Sequence, residues 1–113
     1  MHMDIYEQLA SETAVYPYAN TGSYDAINYC ILGLNGEAGE LANKLKKIAR
    51  DNMGVLTDQT RFDLAKELGD CQWYLARIAA ELGFSLEAIA THNIEKLASR
   101  KERGVLGGAG DDR

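Results

Sequence analysis

The stretch INYCILGLNGEAGELANKLKKI, from Ile27 to Ile48, decides the fold. Its apolar residues Ile27, Ile31, Leu34, Ala38, Leu41, Leu45 and Ile48 succeed one another in steps of 4, 3, 4, 3, 4 and 3. That spacing draws one continuous stripe along a helix and suits pairing with a second helix at a shallow angle. A matching stripe follows, in which Leu64, Leu68, Cys71, Leu75, Ile78 and Leu82 are separated by 4, 3, 4, 3 and 4 positions. Two such helices joined by a short connection pack antiparallel.

Local signals mark the ends of these helices and add two more. Ser23 caps the first long helix, which runs to about Arg50 before Asp51-Asn52-Met53-Gly54 interrupts it. Thr57 or Thr60 caps the second, and Gly83 supplies a left-handed stop. Ser85 caps a further helix whose Leu86, Ala90, Ile94 and Leu97 point toward a core. Upstream, Asp4 to Thr13 forms a shorter helix presenting Ile5, Leu9 and Thr13, followed by a loop through Tyr16, Pro17, Tyr18 and Gly22. After Arg103, four of the seven residues Gly104–Gly110 are glycine, which excludes a helix there. The chain is therefore expected to be all-α, a bundle of four main helices over residues 1–103 with a Gly-rich tail over 104–113.

At 113 residues, 46% apolar and with a single Pro, the chain fits one domain. A domain of this size buries roughly 60–70% of its unfolded surface, so burial against a second copy, as a homo-oligomer, would help it. Twelve Lys and Arg against seventeen Asp and Glu leave a net charge of −5, a poor basis for coating a nucleic-acid polymer or an anionic membrane. Most of the cations nonetheless fall in two clusters, one at Lys44, Lys46, Lys47 and Arg50, the other at Lys96, Arg100, Lys101 and Arg103. Cys30 and Cys71 sit inside apolar helical patterns and read as buried free thiols. No secretory signal or membrane-length apolar run is visible, so a cytoplasmic location is expected.

The chemistry lies beside the seams. Glu37, Glu40, Lys44 and Lys47 share one helical face, as do Asp63, Glu67, Asp70, Tyr74 and Arg77. Glu37-x-x-Glu40 and Glu67-x-x-Asp70 each place two carboxylates one turn apart, and antiparallel pairing lets these four meet. One such pair is common on a solvated helix; two on adjacent helices require compensation, and a hard divalent cation supplies it. Mg²⁺, or Mn²⁺ in its place, prefers oxygen ligands, and neither His nor Cys accompanies these pairs. Gly39 and Gly69 each cost a helix ~1 kcal/mol relative to Ala, which suggests a close approach beside the carboxylates. Asn93, Lys96, Arg100 and Arg103 share a face that suits polyphosphate oxygens. Tyr74 lies on the acidic face and can flank a base. Tyr18, in the first loop, offers a weaker stacking surface.

These residues resemble a known family. Leu32-Gly33-Leu34-Asn35-Gly36-Glu37-Ala38-Gly39-Glu40 with Lys44 and Lys47, and Glu67-Leu68-Gly69-Asp70-Cys71-Gln72-Trp73-Tyr74-Leu75-Ala76, are similar to the MazG-like nucleoside triphosphate pyrophosphohydrolases. Asn93-Ile94-Glu95-Lys96-Leu97-Ala98-Ser99-Arg100 and the ending Gly108–Arg113 match as well. One departure is the pair Cys71-Gln72, where an apolar pair often precedes the Trp; it lies off the acidic face. The resemblance implies an all-α dimer or tetramer that binds Mg²⁺ and hydrolyses nucleoside triphosphates to monophosphate and pyrophosphate. It further implies that Glu37, Glu40, Glu67 and Asp70 are metal ligands and the catalytic set, and that Lys44, Lys47, Asn93, Lys96 and Arg100 hold phosphates. Two alternatives remain open: a phosphoribosyl-ATP pyrophosphatase, and a non-catalytic helical module that senses nucleotides.

Overall fold

A computed structural model describes all 113 residues. It contains four helices and no strand: α1 (Met3–Glu12), α2 (Tyr24–Asn52), α3 (Asp58–Leu82) and α4 (Leu86–Glu102). The capping chemistry explains the boundaries. The Ser23 side chain accepts from the Ala26 N–H and that of Ser85 from the Ala88 N–H. Thr57 is the cap of α3, and Thr60 answers it from within the first turn, so the two candidate threonines form one reciprocal capping box. Gly83 closes α3 in the left-handed region at φ 82°. Met53 closes α2 in the same region at φ 52°, so that the helix ends at Asn52, two residues beyond the sequence-based end at Arg50.

The helices α2 and α3 form the antiparallel hairpin that the seams predict: Lys44 meets Glu67, while Trp73, Tyr74 and Ile78 pack against the buried cluster of Tyr16, Ala26 and Cys30. Each seam, however, divides. Ile27, Leu34, Leu41 and Ile48 are half-buried between the helices, as are Leu64, Cys71 and Ile78. The alternate positions Ile31, Leu45, Leu68, Leu75 and Leu82 are left about half exposed, from 48% at Ile31 to 55% at Leu68. The expected faces of the outer helices are also corrected. On α1 the covered residues are Tyr6, Glu7 and Ala10, with Ile5 and Leu9 exposed. On α4, Ala90, Ile94 and Leu97 are exposed and Leu86 alone of the expected four is half-buried.

Apart from three charged residues, only Ala10, Tyr16, Ala26, Cys30, Ala76 and Ala79 are fully buried, and the radius of gyration is 17.0 Å. A compact chain of this length would have a radius of gyration of about 13 Å. Both cysteines are free; Cys30 is buried as expected, whereas Cys71 is only half-buried. No helix is long and apolar enough to cross a membrane.

The loop between α1 and α2 is fastened to the end of α3 by a buried polar knot. The Tyr16 hydroxyl and the Asn20 N–H (2.7 Å) donate to Glu81 Oε1, and the Gly22 N–H donates to Oε2 at 2.8 Å. Arg77 donates to the Tyr16 oxygen at 3.2 Å and to Asn20 Oδ1 at 2.5 Å. Trp73 ties the start of the loop, donating to Thr13 Oγ1 at 2.8 Å.

Candidate metal and phosphate site

Three of the four expected carboxylates converge. One oxygen from each of Glu37, Glu67 and Asp70 lies within 4.8 Å of the other two, with Glu37 and Glu67 half-buried between α2 and α3 and Asp70 at the solvent edge. Glu40, one turn further along α2, is exposed and lies outside this group. Its charge still reaches Glu37. Burial, followed by the charges of Asp70, Glu67 and Glu40, pushes the Glu37 carboxyl above the usual carboxylate range.

One cation enters the cluster. Lys44 Nζ pairs with Glu67 and also stands 3.4 Å from the Asp63 carbonyl. No Lys or Arg pairs with Glu37 or Asp70, so part of the negative charge is uncompensated by protein. Oxygen donors from three carboxylates with an excess of negative charge match what Mg²⁺ or Mn²⁺ requires. Lys44 and Lys47 also line a groove of about 370 Å³ with Ile48, Thr60, Asp63 and Leu64, immediately beside Glu67 in the hairpin.

Aromatic rings fence the carboxylates. A Cβ added to Gly33 would collide with the Tyr74 ring and hydroxyl, so the ring is seated against bare backbone of α2. Burial raises the Tyr74 hydroxyl pKa, and the charges of Tyr29, Glu37, Cys30 and Asp70 add to the effect. Tyr6 on α1 belongs to the same neighbourhood, raised by burial and by the charge of Asp70. Sequence reasoning missed Tyr6; the signal available was its position one turn before the small, buried Ala10. Gly39 and Gly69, by contrast, face open space, and within this chain no group makes the close approach that their helical cost suggested.

The remaining candidates stand elsewhere. Tyr18 is 62% exposed in the first loop with φ 63°, away from the clustered acids. Asn93 lines the larger opening of about 980 Å³ between α1 and α4, which contains none of the clustered carboxylates. Lys96 and Arg100 have their partners in the C-terminal tail at Asp111. The helix α4 approaches α1 and α3 and makes no contact with α2.

Known proteins supply an independent comparison. The family model for the MazG nucleotide pyrophosphohydrolase domain matches residues 27–105. That span holds α3, α4, all of α2 but its first three residues, and every sequence-predicted site residue but Tyr18. The chain is also similar to the Gene 37 protein of Mycobacterium phage L5, with 51% identity over 114 residues that cover all of both chains. No solved structure matches. With well over half of its length matched, including both helices that carry the convergent carboxylates, the chain belongs to the MazG nucleotide pyrophosphohydrolase family.

Proposed function

We propose that this protein is a Mg²⁺-dependent hydrolase, with Mn²⁺ as a possible substitute, that cleaves nucleoside or deoxynucleoside triphosphates between the α and β phosphates. The products are the nucleoside monophosphate and pyrophosphate, and the setting is the cytoplasm. The observation that carries this reading is the convergence of Glu37, Glu67 and Asp70 within 4.8 Å.

Glu37, Glu67 and Asp70 would hold the metal, joined by Glu40 through rotation of a side chain already on the same helical face. When bound, the metal supplies charge stabilisation at the phosphate oxygens and a more acidic water. The chain's own residues do the rest. The excess of carboxylates over cations leaves one free to orient the attacking water, and no protein nucleophile is required. Lys44, held on Glu67, and Lys47 beside it place positive charge where the phosphates would enter. Tyr74, wedged against Gly33, offers a ring edge for a base. Asn93, Lys96 and Arg100 grip the far end of the polyphosphate.

The active form is a homo-oligomer. Ile31, Leu45, Leu68, Leu75 and Leu82 run as an exposed apolar stripe along both long helices, and a second copy covers it. Because α4 does not reach α2 within one chain, that second copy is also the means of bringing α4 cations to the carboxylates.

A panel of the eight common ribo- and deoxyribonucleoside triphosphates together with phosphoribosyl-ATP, assayed with Mg²⁺ and with excess chelator, tests the activity. Monophosphate with pyrophosphate, abolished by chelation, is expected. Turnover of phosphoribosyl-ATP alone would replace the substrate assignment, and binding without turnover of any of them would identify a nucleotide-sensing module.

A further inference from the structure

The residues after α4 are tied more tightly than their composition suggests. Gly104, Gly108 and Gly110 take positive φ values of 71°, 95° and 89°, and the chain closes around its own last side chain. The Arg113 guanidinium donates to the carbonyls of Val105 (3.2 Å), Leu106 (3.0 Å), Gly107 (3.0 Å) and Gly110. Arg103 Nη2 donates to the Arg113 carbonyl at 2.8 Å. The closed loop rests on Arg100, whose Nη2 donates to the Asp111 carbonyl. The Asp111 carboxylate stands 3.7 Å from Arg100 and 3.9 Å from Lys96.

Arg100 is only 5% exposed, and its Nε is buried with no hydrogen-bond partner. A buried guanidinium N–H without an acceptor is unfavourable, so this site holds an unmet demand for an anion. The anion now laid over it is a poor match: the Asp111 side chain is 92% exposed, and such a water-screened pair contributes little. A phosphate, with more charge and more acceptor oxygens, satisfies the same two cations better.

We propose that the C-terminal loop is a strap that holds Asp111 over Lys96 and Arg100 in the place of a phosphate, and that a polyphosphate displaces it on binding. The strap rests on the reading of Lys96 and Arg100 as phosphate-gripping residues. From residue 106 onward it lies outside the family match.

Calorimetric titration of inorganic pyrophosphate with Mg²⁺ tests it, comparing the wild-type chain with Asp111→Asn, Arg113→Ala and Lys96→Ala. Asp111→Asn should bind about two- to fivefold more tightly, the reach of an exposed ion pair. Arg113→Ala, which unlatches the loop while leaving Asp111 intact, should also bind more tightly. Hydrogen exchange of the amides from Val105 to Arg113 in the wild type should accelerate when pyrophosphate is added. Unchanged or weaker binding in both tail variants, or slower exchange of those amides with pyrophosphate, would overturn the strap. Lys96→Ala separates the two ideas. If it leaves pyrophosphate affinity intact, the phosphate-gripping reading falls and the strap with it. If it weakens binding while both tail variants keep wild-type affinity, the strap alone falls.

Discussion

Replacing Glu81 by alanine removes one acceptor from three donors at once. The Tyr16 hydroxyl, the Asn20 N–H at 2.7 Å and the Gly22 N–H at 2.8 Å all end on this carboxylate, and Arg77 Nη2 lies 3.6 Å away. Both charged side chains are withdrawn from water, at 3% exposure for Arg77 and 0% for Glu81. A hydrogen bond to a charged acceptor contributes roughly 1.5–3 kcal/mol, but three that share one carboxylate do not simply add. Stranding one member of a buried ion pair costs about 3–5 kcal/mol, and that is the expected loss. With a urea m-value of about 1–3 kcal/mol/M, the unfolding midpoint should fall by roughly 2 M. The assay is urea unfolding of both proteins at one concentration, followed by circular dichroism. A loss below about 1 kcal/mol would refute the reasoning, because it would mean that the loop donors find other partners as good as the buried carboxylate.

The same residue sets a pH dependence with a definite sign. Burial alone would raise the Glu81 carboxyl, but the Tyr16 hydroxyl, the Asn20 and Gly22 amides and the charge of Arg77 outweigh it and hold the group below its ordinary range. A depressed carboxyl contributes stability that is fully present above the unfolded-state value of about 4.3 and is lost as pH falls through the folded-state value. Glu81→Gln keeps the size of the side chain and removes the titration. Its deficit relative to the wild type should therefore be largest near neutrality and shrink as pH drops below about 4. A deficit of equal size at both ends of that range would contradict the assignment.

Three further outcomes follow from the geometry. Asp70→Asn should lower turnover by at least about a hundredfold, since loss of groups that merely support a metal ligand already costs 10–100-fold; its Mn²⁺ affinity, read by paramagnetic resonance, should fall in parallel, and unchanged affinity would remove Asp70 from the ligand set. Gly33→Ala forces the Tyr74 ring out of its seat and should destabilise the chain by about 1–3 kcal/mol, the usual cost of overpacking; an unshifted thermal midpoint would show that the ring yields freely. Leu75→Glu puts a charge in the exposed apolar stripe and should leave a monomeric mass by light scattering; a wild-type mass would place the subunit contact on another face.

Helix ends were legible because their causes are local. Ser23, Thr57, Gly83 and Ser85 act on backbone groups within a turn of themselves, and each stands where the structure uses it. The division of the seams was not legible. Periodicity groups Ile27, Ile31 and Leu34 on one stripe without saying that α3 covers the first and third while leaving Ile31 48% exposed. The short helix α1 misled for a related reason: it packs through Tyr6 and the small Ala10, so its aliphatic Ile5 and Leu9 marked the open side. Arg77 follows Asp70 at helical spacing and reads as part of the acidic face. The competing signal was Glu81, four residues on, which turns Arg77 inward to fasten the loop instead.

The carboxylates themselves show why their site was only partly visible. Spacing places Glu37 with Glu40 and Glu67 with Asp70, but which of the four meet depends on the register of α2 against α3. That register brings Glu37 to Glu67 and Asp70 and leaves Glu40 a turn away. It also drops Lys44 onto Glu67, so the cation that the family resemblance assigned to a phosphate pairs with a metal-ligand candidate. The hairpin is closed by the short loop from Met53 to Thr57 at one end and tied by the Glu81 knot at the other, with the charged residues between them. On the proposed mechanism, Glu37, Glu67 and Asp70 would hold a divalent cation whose charge would offset the repulsion that adds to burial in raising Glu37, and Lys44 would then be free to turn toward the polyphosphate. Arg100 stands in a parallel situation at the other end of the chain, engaged by Asp111. In both places the chain supplies its own counter-ion where the substrate complex would supply another, which lets like charges be packed together before substrate or metal arrives.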